Sequence, residues 1–573
     1  MVLNASQHAW TALPIAQRFA KLTTMRVALG QINTTVGDLE GNTARMIEYS
    51  REAAKGGAEL IVFPELAICG YPPRDLVERQ CFISRNLEQL HRLAAETAAL
   101  NLSIVAGYVG SSDAATGKRA TNRAAVVRGG SVVFDQIKVL LPTYDVFDEA
   151  RYFASGGARA LWREGRRNVA VAVCEDAWND KQFWEQRLYS RDPVEELMEL
   201  GGDLLVSINA SPFQLGKREL RRQMFATTTR RFQVPAIVVN QVGGNDSLVF
   251  DGSSFVMNAQ GEQIAVAKSF EEDLVFADLE QGTGDQHANF ADEDAAVYEA
   301  LVLGTRDYIR KCGFSKVLIG FSGGIDSSLT AAIAVDAVGA ENVTGVGMPG
   351  PYSSSGSVSD SRALAQNLGV RFEISPITTA YEDVVRTLAP LFVDYKPNVT
   401  EENLQSRLRG VTLMALSNKF NALVLTTGNK SEIAVGYCTL YGDMCGGLAV
   451  ISDVPKTLVY KLSRVANQRH AGAIPESVFE KAPSAELRAD QKDTDSLPEY
   501  ETLDAILHSY IEEYRSPSEI AAQLKLPLDL VMGITTKVDR NEYKRQQAAP
   551  GLKVTTKAFG IGRRFPIAQR YSE

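Results

Sequence analysis

Between Ile319 and Ser328 the chain places two adjacent glycines, three hydroxyls and one carboxylate, a set suited to holding a polyphosphate. Gly323 and Gly324 let the backbone approach an oxyanion closely, and Ser322, Ser327 and Ser328 add hydroxyl donors. The apolar runs Lys316 to Ile319 and Leu329 to Val335 predict a strand that turns into a helix here, so unpaired helix N–H groups join the site. Gly320, Phe321, Ser322, Gly323, Gly324, Ile325, Asp326 and Ser327 are therefore the expected phosphate-binding loop. A Walker-type loop would end in Gly-Lys-Ser or Gly-Lys-Thr, and Asp326 stands in its place. An acid beside phosphates makes chemical sense if it holds Mg2+, which one or two carboxylates commonly share with substrate phosphates.

A second acid is expected nearby. The strand-like run Ala422 to Thr427 leads into Gly-Asn-Lys-Ser-Glu, which sets Glu432 where it can share the metal with Asp326. Thr427 and Lys456 are expected to face nucleotide or phosphate. An N-cap with a first-turn acid is the plain structural reading of Ser431-Glu432.

The first half of the chain offers different chemistry. Glu65 follows the strand-like Leu60 to Phe63, Lys138 closes Phe134 to Ile137, and Cys174 ends Val169 to Val173. Strand ends in a layered α/β domain can point such side chains into one cleft. A thiol that attacks an amide carbonyl needs a base, here Glu65, and a group to stabilise the oxyanion, here Lys138. Taken singly, Cys174 reads as a small buried hydrophobe, Lys138 as an edge-strand cation and Glu65 as a solvated acid. A Cys-His mechanism is disfavoured, because none of His8, His91, His287, His470 and His508 lies in a segment resembling such a site.

The elements that must position these groups alternate in an α/β pattern. Helix-like segments at 42–55 and 86–100 interleave with strand-like runs at 60–63, 104–107, 169–173, 204–208 and 236–239, giving a domain over 25–278. The polar, acidic stretch Gln281 to Asp294 reads as a linker, assigned to 279–298, with a second domain over 299–573. There the βαβα order predicts a doubly wound parallel sheet with its ligand at the strands' carboxyl ends. Residues 1–24 read as an N-terminal extension.

The 573 residues allow two or more domains, and 60 basic against 69 acidic residues give net charge -9, which disfavours nucleic acid and anionic membrane as partners. Six cysteines without metal spacing, and no secretory signal or apolar span, fit a reducing cytoplasm. Cys438 and Cys445 acquire no role.

Phe-Pro-Glu-Leu around Glu65, Lys138 through Phe153, and Cys174-Glu-Asp-x-Trp178 together resemble the nitrilase, or carbon-nitrogen hydrolase, superfamily. That resemblance implies a four-layer αββα sandwich, Glu65 as base, Lys138 as oxyanion-side cation, Cys174 as nucleophile and Glu149 as the acid that orients the lysine. It also implies glutamine binding by Tyr144, Ser211 and Lys217. The Ser-Gly-Gly-x-Asp-Ser loop resembles the ATP pyrophosphatases (PP-loop enzymes). Glu401 to Gly410, Thr427 to Glu432, Gly436 to Asp443, Asp495 to Tyr500 and the tail from Tyr543 look like the glutamine-dependent NAD synthetase family.

On that resemblance Asn403, Glu432 and Lys544 contact deamido-NAD, Thr427 and the loop contact ATP, and Asp326 with Glu432 approach Mg2+. Glu499 departs from the family, where a second proline is expected after Pro498. The implied reaction is ATP-dependent amidation of deamido-NAD with ammonia from glutamine, in a homo-oligomer of two to eight copies. The alternatives are another PP-loop amidotransferase and a nitrilase-like protein that senses nucleotide without turnover.

Overall fold

The computed structural model describes residues 25–571, apart from 113–115, 158 and 291. The extension read at 1–24 lies outside the described residues.

Two sheets face each other in the first half. One runs in the order Thr283–Gly284, Asp273–Asp278, Arg26–Gln31, Leu60–Val62, Ser103–Ser111, Ala120–Arg128, Ser131–Ile137. The other runs Gln263–Val266, Phe255–Met257, Ala236–Asn240, Leu204–Asn209, Arg167–Val173, Trp162–Glu164. Side chains alternate across a strand, so each sheet supplies two apolar faces. Val27, Leu29, Val171, Val206 and Ile237 fill the space between the sheets. Ala28, Ile61 and Ile104 face Met46, Ile47 and Leu90 of the helices Leu39–Lys55 and Gln80–Thr97 on one outer side. Ala170, Leu205 and Val238 face Leu197, Met224 and Phe225 of Pro193–Glu199 and Lys217–Phe232 on the other. Three cores separating four layers make an αββα sandwich.

The second half holds a five-stranded, all-parallel sheet in the order Arg371–Ile374, Val343–Gly347, Val317–Phe321, Leu423–Thr426, Leu448–Ala449. The order steps outward from Val317–Phe321 in both directions. The crevice therefore opens at that strand's carboxyl end, where the phosphate loop begins.

The stretch read as a linker is more structured than its composition suggests. Thr283–Gly284 adds a strand beside Asp273–Asp278, and the helix Glu293–Lys311 starts six residues ahead of the domain boundary expected at 299. That helix packs on both halves: Val297, Leu301 and Ile309 share one apolar core with Val242 and Val249 of the first half and Ile319 and Leu329 of the second. Its Lys311 ammonium donates to Asn33 Oδ1, Thr34 O and Gly244 O, each at 2.8 Å, and to Asn245 Oδ1 at 2.9 Å. Polar residues here pair across the junction rather than solvate a tether. No described helix is long and apolar enough to cross a membrane.

Candidate functional site

Glu65, Lys138 and Glu149 meet in the first half although they come from three separate segments. Lys138 Nζ donates to Glu65 Oε1 at 2.7 Å and to Glu149 Oε1 at 2.8 Å, and its side chain is fully buried. Burying an ion costs several kcal/mol, so this ammonium is tolerable only because two carboxylates share it. Asn122 Nδ2 donates to Glu65 Oε1 at 2.7 Å and Ala210 N–H to Glu65 Oε2 at 3.1 Å, which aims the acid. Tyr71 O–H donates to Glu149 Oε1 at 2.8 Å. Burial pushes the Glu149 carboxyl above the usual carboxylate range, with Lys138 opposing and Glu65 reinforcing.

Cys174 begins a short 3-10 turn after Arg167–Val173 and holds φ +44°, a left-handed conformation rare outside glycine. Such strain persists where the surroundings fix it, and it tends to mark a functional site. Burial raises the thiol's pKa well above its ordinary value; Glu65 adds to this and Lys138 opposes it. The resting sulfur is therefore a protonated thiol that needs a base at the moment of attack.

The three residues matched to glutamine binding surround this centre. Tyr144 O–H lies 3.0 Å from Glu175 Oε2, and Tyr189 O–H donates to Glu175 Oε1 at 3.0 Å. Ser211 is buried, and its N–H donates to Asn240 Oδ1 at 2.9 Å. Lys217 opens its helix after Gly216, and its ammonium stands over the rings of Trp178 and Phe147 at 5.4 and 6.0 Å. It makes no ion pair among the described residues. Burial first, then the Lys553 charge, lowers its pKa to about 8.

In the second half a cavity of about 300 Å3 opens above the parallel sheet. Gly320, Phe321, Ser322, Gly324, Ile325, Asp326, Thr427, Glu432 and Lys456 line it. Gly323 holds φ +74° against the Ser357 backbone, and Ser327 is turned inward to donate to Gly324 O at 3.0 Å. Asp326 Oδ2 accepts from Lys456 Nζ at 2.5 Å, and Glu432 Oε1 accepts from the same ammonium at 3.4 Å. Asn429 Nδ2 donates to Asp326 Oδ1 at 2.9 Å while its own side chain caps the helix that carries Glu432. Burial pushes the Glu432 carboxyl up, with Lys456 opposing.

One chain thus carries a buried Cys-Glu-Lys centre and a phosphate loop with two paired acids. Two family models divide it the same way: carbon-nitrogen hydrolase matches residues 26–288 and NAD synthase residues 297–548. The glutamine-dependent NAD(+) synthetase of Synechocystis is 48% identical over 553 residues, covering 95% of this chain and 99% of that protein. The chain belongs to the glutamine-dependent NAD(+) synthetase family. The Thermotoga maritima synthetase is 42% identical over 590 residues, with 96% and 99% of the two chains covered. A solved glutamine-dependent NAD+ synthetase from Acinetobacter baumannii, in complex with ADP, superposes with TM-score 0.74 at 41% identity, covering 95% and 98%. A Cytophaga hutchinsonii synthetase shares the fold, with TM-score 0.81 at 21% identity over 96% and 98% of the chains.

Asn403 and Lys544, expected from the resemblance to contact deamido-NAD, are not among the residues that line the cavity. Asn403 Oδ1 accepts from Thr439 O–H at 2.8 Å, and Lys544 Nζ donates to the carbonyls of Gly436 at 2.7 Å and Cys438 at 2.8 Å. Lys456 lines the cavity and pairs there with both acids. Sequence reading missed Asn122, Glu175 and Tyr189 beside the thiol, and Tyr437, Asp443 and Asp493 in the cavity wall. Asn122 could have been found as a polar residue within the strand Ala120–Arg128. Cys438 and Cys445 line the cavity.

Proposed function

We propose that this chain makes NAD from deamido-NAD and ATP, with ammonia taken from glutamine at the Cys174 centre. The observation that carries this reading is the pairing on one chain of the Lys138-bridged acids beside a thiol with a phosphate loop whose Asp326 faces Glu432 across one ammonium.

At the first site the Lys217 cation and the Tyr144 segment hold the amino-acid head of glutamine. Glu65 takes the Cys174 proton as sulfur attacks the side-chain carbonyl, and Lys138, held by Glu149, stabilises the oxyanion. Glu65 returns the proton to the departing ammonia, leaving a thioester. Water, deprotonated by Glu65, then releases glutamate.

At the second site the nicotinate carboxylate attacks the α-phosphate of ATP, forming an adenylate and pyrophosphate. Ammonia attacks the activated acyl carbon, displaces AMP and gives the amide. Backbone and hydroxyl donors of the loop hold the phosphates, and Lys456 stabilises the carboxylates beside them. Asp326 and Glu432 lie close enough to share one cation, and the described residues hold no group of three or more metal-ligating side chains. That donor set fits Mg2+, which takes oxygen ligands from few carboxylates and from substrate phosphates. Bound there, Mg2+ would neutralise charge on the leaving pyrophosphate.

Ammonia released into water would protonate and escape, which supports a closed route between the sites; the family resemblance implies a homo-oligomer of at least two copies. Six free cysteines support a reducing compartment such as the cytoplasm.

The test compares wild type and Cys174→Ala, given deamido-NAD, ATP and Mg2+ with either glutamine or ammonium, and measures NAD, AMP and pyrophosphate. The variant should make NAD from ammonium alone. If wild type makes NAD from neither nitrogen source, the substrate assignment is wrong.

A further inference from the structure

A segment of the synthetase half reaches the glutamine pocket. The Lys553 N–H donates to Ser247 O at 2.8 Å, and Leu215 N–H donates to Val554 O at 2.9 Å, so residues 553–554 are stitched to the first half by backbone bonds. The segment is held to its own half by Asp453, whose Oδ2 accepts from Val554 N–H at 2.8 Å and Thr555 N–H at 2.7 Å.

The Lys553 side chain is buried at 3% exposure, and its ammonium binds two different loops of the first half. It lies 3.3 Å from Asp145 Oδ2 and donates to Gln214 Oε1 at 3.3 Å and to Thr555 O at 2.6 Å. Asp145 follows Tyr144 directly and holds φ +50°. Gln214 begins the turn into Lys217, whose N–H donates to Gln214 O at 3.0 Å. One cation therefore ends on both loops that bracket the pocket. A buried lysine is a costly way to fill space, since an apolar side chain of similar length would pack without desolvating a charge.

We propose that Lys553 is a positioning residue for glutamine binding, supplied by the other domain, which fixes the Tyr144 and Lys217 loops relative to each other. This rests on the reading of Tyr144 and Lys217 as the glutamine contacts. An electrostatic consequence follows. The groups that act on Lys217 are Lys553 and Arg221, which disfavour its charge, and Glu175, which favours it, as does Cys174 once it is a thiolate. Loss of the Lys553 charge raises the pH at which Lys217 loses its proton.

The experiment uses the full chain as wild type, Lys553→Met and Lys553→Arg, with glutamate release measured against glutamine concentration and NAD formation measured from ammonium. Lys553→Met should raise KM for glutamine at least about 10-fold with kcat changed less than about 3-fold, the pattern of lost ground-state binding. Its alkaline limb in kcat/KM should move up by about half a pH unit or more, which a purely structural role would not produce. Lys553→Arg keeps the charge and donors and should stay within about 3-fold of wild-type KM. Ammonium-driven NAD formation, the internal control for folding, should stay within about 2-fold.

An unchanged KM in Lys553→Met overturns the proposal. So does equal loss of both activities in the two variants, which would mark a fold contact. Failure of the underlying reading looks different, because wild type would then release no glutamate from glutamine, and the proposal would fall with it.

Discussion

Lys456 Nζ lies 2.5 Å from Asp326 Oδ2, so the acid of the phosphate loop is paired with a cation from a helix 130 residues further along. The same ammonium reaches Glu432, so a divalent ion held by these two carboxylates, as proposed, would take the place of a lysine contact. Chelation of Mg2+ should therefore abolish NAD formation from both nitrogen sources and leave glutamate release measurable. Asp326→Asn should lower ammonium-driven NAD formation by about 100-fold or more, on the scale of removing one charge-stabilising group. Full synthetic activity in EDTA would refute the assignment.

Glu149 and Glu65 share one buried ammonium, and their roles differ. Glu65 also faces Asn122 and Ala210, whereas Glu149 is tied to Tyr71. Glu149→Gln keeps the shape but removes one of the two charges that hold Lys138. Glutamate release should fall about 10- to 100-fold, or about 1.4–2.8 kcal/mol of transition-state stabilisation, with KM little changed. Ammonium-driven synthesis in the same preparation should be normal. A selective rise in KM would instead place Glu149 in glutamine binding.

The layered order of both halves was legible because strands buried on two faces read as continuous apolar runs, as in Val169–Val173 and Leu204–Ile208. Strand ends placed Cys174, Glu65 and Lys138 but did not single them out; the words around them did, through their resemblance to the nitrilase superfamily. Pairing across long separations was not legible. Asn122 meets Glu65 57 residues away, and nothing local to either residue announces the other. The stretch Gln281 to Asp294 read as more tether-like than it is for a different physical cause. Asp, Gln and Gly have the same composition whether water or a partner strand satisfies them, so a tether and the paired strand Thr283–Gly284 look alike in sequence. Lys544 shows the same limit as Asn122: its ammonium bonds the carbonyls of Gly436 and Cys438, more than a hundred residues away, and nothing local to Tyr543-Lys544-Arg545 announces those partners.

Gly323 is the loop position least able to carry a side chain. At φ +74° an added Cβ would stand 2.4 Å from Ser357 O, a backbone atom that cannot yield without moving its helix. Strain of about 1–3 kcal/mol adds to that clash. Gly323→Ala should weaken ATP use by at least about 10-fold in ammonium-driven synthesis, with glutamate release retained. Gly324, whose φ is -100°, should tolerate alanine better, because its nearest neighbour is the Ser322 hydroxyl at 3.3 Å. Equal effects at the two glycines would contradict this account.

Lys217 gives the glutamine site a pH dependence whose sign can be worked out. Burial and the nearby Lys553 favour the neutral amine, so Lys217 loses its proton as pH rises through about 8, below the ordinary lysine range. The cation is the form that binds a carboxylate, so kcat/KM for glutamine, which reports the free enzyme, should fall above about pH 8. Bound glutamine brings the opposite charge and holds the proton on, so kcat should persist to higher pH than kcat/KM. The Cys174 thiol does not produce this limb: its pKa is raised well above the ordinary thiol range, and its ionisation would increase activity rather than reduce it. Profiles of kcat and kcat/KM for wild type decide the matter, and a kcat/KM that stays flat to pH 10 would show that Lys217 is not the group that meets the carboxylate.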